Sequence, residues 1–303
     1  VQTYISDAIA QHGLPHEFSH TVNQWYFPLA QYITSRQKHK GATLVLGIQG
    51  TQGSGKSTLA DFLRLIFEHE HGLACAVLSI DDFYLTRNER EKLAKKVHPL
   101  LSTRGVPGTH DINLAIKTIN TLKTFKPGAE LQLVRFDKAI DDRAKEADWT
   151  KIKRPVDIII LEGWCIGLKA QDDRYLENPI NALEENEDTN AVWRNYVNQQ
   201  LANTYPTLFK LLDCLAVLKA PSFNCVYQWR LLQEEKLKQR WRHLPTEQRA
   251  NSHILSPEEV ERFIAHYQRL TEHALNTLPD QADWTLPLDS DHNICDLIMG
   301  ESR

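Results

Sequence analysis

The chain has 303 residues, 42% of them hydrophobic and 24% charged, with 35 Lys plus Arg against 39 Asp plus Glu and a formal net charge of −4. That balance excludes the broad basic surface a nucleic-acid binder needs, but it leaves room for a local basic site that takes a small phosphorylated ligand. Ten Phe, nine Tyr and seven Trp exclude a disordered chain, and a globular chain of this length buries roughly three quarters of its unfolded surface.

Residues 1–40 read as helical, with Ile5, Ile9, Phe18, Val22, Tyr26, Leu29 and Ile33 at mixed helical spacing and polar Arg36–Gly41 closing the segment. Helical packing against a sheet is expected of this extension, rather than a partner-binding module. Thr43–Ile48 is a short apolar strand, linked by Gln49 to Gly50-Thr-Gln-Gly-Ser-Gly-Lys-Ser-Thr58, and helical periodicity resumes through Leu59, Phe62, Leu63 and Ile66. Ala74–Ile80 is a second buried strand ending in Asp81-Asp-Phe-Tyr84. Thr86 and Glu89 have capping-box spacing for a charged helix over Arg87–Lys96, solvated on at least one face. Gly105, Pro107 and Gly108 make Leu100–His110 a loop, and Asp111 caps a helix carrying Ile112, Ala115, Ile116 and Ile119.

Leu131–Phe136 is a short strand or edge, and Lys138–Trp149 a charged, poorly structured connection. Val156–Leu161 is the clearest central strand after the first and runs into Glu162 and Gly163. Residues 168–205 read as irregular, acidic Glu184–Asp188 included, up to a helix with Trp193, Tyr196 and Val197. Leu215–Leu218 is a fourth strand, followed by a long helix, Phe223–Arg242, with a basic distal half. Ser256-Pro-Glu-Glu259 opens a helix to about Leu275 that buries Val260, Phe263, Ile264, Tyr267 and Leu270, and Trp284–Leu288 is a final strand. Strands alternating with helices predict an α/β, P-loop NTPase fold: an open, mostly parallel sheet with helices on both faces and helical additions. The domain expected over 41–303 has lid or insert regions at about 86–110, 137–154, 168–205 and 223–255.

Cys75, Cys165, Cys214, Cys225 and Cys295 are odd in number and form no CxxC pair, so reduced thiols and a cytoplasmic location are expected. Val1–Asp7 lacks the basic region and apolar run of a signal peptide, and no apolar stretch approaches membrane-span length. Without an extended coiled coil or a distinctive exposed repeat, the expected state is a monomer that binds a small molecule, with no nucleic-acid or membrane partner.

Gly50, Gly55, Lys56 and Ser57 satisfy GxxxxGK[ST] between a strand and a helix. Such a turn points successive backbone N–H groups at phosphate oxygens only where side chains do not crowd it, which Gly50, Gly53 and Gly55 ensure. Thr51, Gln52, Ser54 and Thr58 complete the expected nucleotide loop, with Thr58 read as packing or capping rather than as a second metal ligand. Lys56 reaches the transferred phosphate of ATP, and Ser57 is placed for Mg2+. Asp81 and Glu162 each follow an apolar strand, so both open onto the crevice of the phosphate loop. Asp81 is read as the acceptor of the substrate hydroxyl's proton, with metal or structural work as the alternative; Glu162 is read as a metal-site residue, with an interior hydrogen-bonding role as its alternative.

The stretches GIQGTQGSGKSTL, SIDDFYLT, RGVPGTHD and IIILEGWCIG, with the later WRLLQEEKL, resemble the D-glycerate 3-kinase family and its fungal and bacterial homologues. That family lies within the phosphoribulokinase, uridine kinase and pantothenate kinase branch of P-loop kinases. The resemblance implies ATP-dependent phosphorylation of a small hydroxylated molecule, with D-glycerate the leading acceptor. The family's DDFY aspartate falls on Asp81 and its tyrosine on Tyr84, which would line the acceptor pocket. Arg104 would contact an anionic acceptor, and His110 and Asp111 would shape the pocket; a surface cation, a structural histidine and a plain helix cap are the respective alternatives. Relatives often carry a GRGDR-like stretch where this chain has Phe136-Asp-Lys-Ala-Ile-Asp-Asp-Arg143, so Lys138 and Arg143 either face phosphate or lie on a charged loop. Arg230 and Lys236 fall where this branch has a lid over the phosphates, although Arg230 and Glu234 also have ordinary i,i+4 pair spacing. Trp229 is read as core or adenine-side packing. A kinase for another small alcohol (a nucleoside, a pantothenate-like compound or a sugar derivative) and a nucleotide-dependent switch ATPase are the competing functions.

Overall fold

Three helices precede the first strand: α1 (Thr3–Gln11), α2 (Phe18–Thr21) and α3 (Phe27–Lys40), the last two joined through one π turn, Val22–Tyr26. The computed structural model describes residues 2–242 and 255–300. Gly41, in the left-handed conformation at φ 64°, stops α3 and turns the chain into β1 (Leu44–Gly50), whose residues are all buried. Helix α4 (Lys56–His71) returns along the sheet to β2 (Cys75–Ser79). Helix α4 lies between much of the N-terminal extension and the sheet, so α1 and the π turn pack on α4, while α3 packs on α4 and also reaches β1. Phe18 and Tyr26 place their rings 5.5 and 5.9 Å from Phe62 of α4, and Leu29 and Ile33 join the same core.

Helices α5 (Arg87–Lys96) and α6 (Ile112–Lys123) carry the expected caps: Thr86 and Glu89 form a reciprocal capping box, and Asp111 accepts the Leu114 N–H at 3.0 Å. Leu131–Phe136, expected to be a short strand or edge, supplies β3 (Leu131–Leu133), which pairs antiparallel with β6 (Thr150–Ile152), and the start of β4 (Phe136–Asp137). Of the stretch 138–149 expected to be poorly structured, β5 (Asp142–Arg143) instead pairs antiparallel with β4. Ion pairs to the domain body hold this insert in place of an apolar pattern. Strand β7 (Ile158–Gly163) pairs in parallel with β1 on one side and β2 on the other.

Glu184–Asp188, expected to be irregular, lies largely in helix α7 (Ala182–Glu187), capped by Asn181. Buried Glu184 pairs with Arg269 at 2.6 Å and buried Asp188 with Arg194 at 3.0 Å, so the two ends of the acidic run are internal while Glu185 and Glu187 face outward. Helices α8 (Val192–Asn203) and α9 (Tyr205–Phe209) lead to β8 (Cys214–Lys219), α10 (Phe223–Arg242), α11 (Pro257–Thr277) and β9 (Trp284–Pro287). Of the apolar residues expected to be buried by α11, Phe263 is only half-buried. The final β10 (Ile298–Met299) adds an antiparallel edge, giving the order β10-β9-β8-β1-β7-β2. The side chains of Arg240 and Arg242, and the end of the 223–255 insert, lie outside the described residues. The first strand thus sits centrally, with the chain turning to opposite sides of it, which is the topology that opens a ligand crevice at the strand ends.

Candidate active site

Strand register brings the chemistry to one rim. Glu162 is opposite Ile48 of β1 and Ser79 of β2, and Gly50 is opposite Leu218 of β8. Glu162 is therefore the penultimate residue of β7, and not a residue beyond the strand. The loop leaving β1 needs its glycines for two reasons: a Cβ on Gly50 would lie 2.4 Å from Ser54 Oγ, while Gly53 and Gly55 have φ of +79° and +85°. No side chain caps α4, so its first N–H groups point into the loop. Thr51 Oγ1 and Ser54 Oγ are buried with no hydrogen-bond partner in the protein, as hydroxyls that donate to phosphate oxygens would be, and Gln52 Oε1, an acceptor, is likewise unpartnered. Lys56 and Thr58 are half-buried in the first turn of α4.

Ser57 Oγ donates to Glu162 Oε1 at 3.0 Å, and Glu162 Oε2 is buried without a partner. One hydroxyl and one carboxylate fit magnesium, which takes few protein ligands and completes its shell with phosphates and water. Among the described residues no group of three or more His, Cys, Asp or Glu could hold a metal by itself.

A short turn after β2 separates the two aspartates. Ser79 Oγ accepts the Asp81 N–H at 3.3 Å, and the Asp82 carboxylate returns to the Ser79 N–H at 3.3 Å and takes Arg135 at 2.5 Å. Asp82 is thereby spent on structure, and Asp81 is left to face Tyr84, Lys138 and Lys56. Its Oδ1 accepts the Tyr84 hydroxyl at 2.8 Å and its Oδ2 the Lys138 ammonium at 2.7 Å. Burial alone would push the Asp81 carboxyl up, but the positive charges of Lys138 and Lys56 outweigh it and hold the group down at about 2. Asp81 thus lies within the field of the phosphate-loop lysine, and it is ionised throughout the neutral range.

Around Asp81 the expected acceptor residues converge. Tyr84 and His110 form an antiparallel bridge and stack at 4.6 Å. His110 Nδ1 lies 2.5 Å from the Tyr205 hydroxyl, and burial holds its imidazole down at about 4, the charge of Asp81 countering this only in part. Arg143 pairs with Asp111 at 3.0 Å, so Asp111 is both helix cap and anchor. Arg104 pairs with Asp141, which also takes Arg90 at 2.5 Å; both guanidinium groups lie over the Phe136 ring, at 5.6 and 5.7 Å. The loop carrying Arg104 is pinned from the far end of the chain: the Tyr267 hydroxyl donates to Arg104 O at 3.3 Å, and Trp164 Nε1 donates to Gly105 O at 3.0 Å.

Arg230 and Lys236 lie farther out. Arg230 pairs with Glu234 and sits 5.4 Å from the Phe263 ring, while its charge reaches Tyr267 at the rim of the acceptor cluster. Lys236 is exposed, near enough to His292 to depress that imidazole after burial has done so. Trp229 stacks on His292 at 4.2 Å and backs Gly53, where an added Cβ would meet it at 3.0 Å. Sequence reading missed Arg90, Phe136, Asp141, Tyr205 and Tyr267 as contributors. Only Phe136 and Asp141 carried a local signal, lying in the charged stretch that replaces the relatives' glycine-rich one.

No family model matches the sequence. The chain is 33% identical over 264 residues to an uncharacterised kinase of Schizosaccharomyces pombe, covering 84% of this chain and 88% of that protein. It is 31% identical over 231 residues to the chloroplastic D-glycerate 3-kinase of Arabidopsis thaliana, covering 74% of this chain but 46% of the plant protein. Among solved structures, the D-glycerate 3-kinase of Cryptococcus neoformans superposes with a TM-score of 0.74 at 25% identity, covering 90% of this chain and 98% of that one.

Proposed function

Because the chain belongs to the D-glycerate 3-kinase family of P-loop kinases, and so is an ATP-dependent phosphotransferase acting on an alcohol, we propose that its acceptor is D-glycerate. The observation that carries this reading is that Asp81 pairs with Lys138 within the field of Lys56, while Arg104 lies over the Phe136 ring that packs edge-on against Tyr84, the hydroxyl partner of Asp81. A short hydroxy acid needs such a compact set: one carboxylate for its hydroxyl and cations for its acid group.

In the proposed reaction the loop N–H groups and Lys56 hold the ATP phosphates and stabilise charge on the transferred group. Ser57 and Glu162 would hold magnesium, which neutralises phosphate charge. Asp81 orients the acceptor hydroxyl by accepting its hydrogen bond. At about 2 it is a weak base, so it takes the proton late, once the oxygen has begun to bond to the γ-phosphorus. His110, Tyr84 and Asp111 shape the pocket wall, and Arg230 and Lys236 are proposed to act from the lid.

Incubation with Mg-ATP and D-glycerate, L-glycerate, uridine, pantothenate or ribulose 5-phosphate, read by product mass, tests the assignment. D-glycerate should gain one phosphoryl group with stoichiometric ADP; faster turnover of another acceptor would replace it. Among the described residues no helix is long and apolar enough to cross a membrane, and all five cysteines are unbridged. We place the protein in the cytoplasm as a monomer, which fractionation and light scattering would check.

A further inference from the structure

Both oxygens of the Asp81 carboxylate are engaged, Oδ1 by the Tyr84 hydroxyl and Oδ2 by the Lys138 ammonium. Any hydroxyl that is to hand its proton to Asp81 must displace one of them. Tyr84 is poorly placed to yield: it is 4% exposed, stacked on His110, edge-on to Phe136 at 5.2 Å, and bridged through its backbone. Lys138 is placed to yield. Its side chain is 62% exposed and follows β4 at the turn of the small hairpin, and an exposed ion pair is weak enough to exchange. The rest of that hairpin stays anchored when Lys138 moves, because Asp141 is held by Arg90 and Arg104, and Arg143 by Asp111.

An acceptor bearing an acid group offers the ammonium a second anion beside Asp81, whereas water and neutral alcohols do not. We propose that Lys138 is a positioning residue that locks Asp81 until the anionic group of the acceptor draws its ammonium away. The lock links recognition of the acid to release of the base, and it denies Asp81 to water while ATP waits in the loop. Once Lys138 has swung away, the acceptor oxygen bonds to the γ-phosphorus as the bridging P–O bond breaks. ADP leaves with that electron pair, and the hydroxyl proton passes to Asp81 Oδ2. Water entering by the same route would yield ADP and inorganic phosphate.

This inference rests on Asp81 serving as the proton acceptor in the reading above, but its main test contains no glycerate. Acceptor-free ADP release is measured for the full chain with Mg-ATP as the native protein, Lys138→Met, Lys138→Gln and Lys138→Arg. The Met and Gln variants should release ADP about tenfold faster than native, less than the roughly 100-fold or more of a fully positioned general base because water is not held in place, and the Arg variant, which keeps a cation beside Asp81, should gain less than either. Adding Asp81→Asn to Lys138→Met should abolish the gain. Unchanged hydrolysis in both the Met and the Gln variant overturns the lock, as does a gain that survives Asp81→Asn. In a second arm the native protein should phosphorylate glycerate and ignore glycerol, and Lys138→Met should narrow that preference at least fivefold in kcat/KM; an unaltered ratio counts against the lock. Should D-glycerate fail in the product assay while acceptor-free hydrolysis responds as expected, the acceptor is wrong and the lock stands.

Discussion

The two sides of the crevice are built in different ways. On the phosphate side the groups from Gly50 to Ser57 occupy one loop and one helical turn, and their positions follow from the end of β1 and the uncapped start of α4. On the acceptor side the partners come from distant parts of the chain: Asp81 meets Lys138, Arg104 meets Asp141, Asp111 meets Arg143, and Arg104 O meets Tyr267, 163 residues away. Phosphate binding is thus a property of local backbone shape, and acceptor recognition a property of long-range charge pairing. The acceptor wall can therefore change its chemistry while the nucleotide loop stays intact.

Substitutions at the meeting point of the two sides should break this contrast most severely if it is wrong. Asp81→Asn should lower phosphoryl transfer about a thousandfold while leaving ATP affinity, measured by calorimetry, close to native. Lost ATP binding would mean that Asp81 serves the nucleotide side. Lys56→Ala should cut turnover by more than ~100-fold, the scale of losing one preorganised charge at a transferring group; near-native turnover of the purified variant would reject its role.

A milder and more selective effect is expected within the acceptor wall. Gly105 has φ of +140°, and a Cβ there would lie 2.1 Å from the Tyr267 hydroxyl oxygen. Gly105→Ala should cost about 2 kcal/mol of stability by denaturant titration and raise KM for the acceptor more than for ATP. Equal rises would show that the two sides are not separable.

The smallest effect is on pH dependence. His110, ordinarily near 6.5, is held at about 4 because burial disfavours its charged form. Its contribution to stability is complete above 6.5 and is lost as pH falls from there toward 4, since the unfolded chain binds the proton more readily. Asp81, ordinarily near 3.8 and held at about 2, acts only at lower pH, losing its contribution as pH falls from 3.8 toward 2. Between pH 7 and 5 the melting temperature should therefore fall less steeply in His110→Asn than in the native protein. Parallel slopes would place His110 in a wetter setting than its contacts indicate.

The legible parts of the molecule are those whose signal is short in range. The buried β1, the glycines after it, the caps at Thr86, Asp111 and Ser256, and the full extent of α10 all follow from apolar runs, turn residues and capping spacing. Within the insert, Leu131-Gln-Leu133 of β3 was legible as a short strand, but β4 to β6 were opaque because they are two or three residues long and carry no apolar alternation. Helix α5 reads as a charged, solvated helix, yet Arg90 within it is fully buried, donating to Leu85 O and Ser102 O as well as to Asp141. A charged residue gives no hint of burial until its partners are known, and here one of them lies 51 residues away.

From its sequence alone this protein's phosphate loop, the strand-end positions of Asp81 and Glu162, and the α/β order could be read, because each depends on neighbours within a few residues. Which oxygen of Asp81 is taken, which cation faces which carboxylate, and that Asp82 turns inward toward Arg135 were decided only when the chain folded. Charge pairing acts through space and not along the backbone, so no local pattern records it.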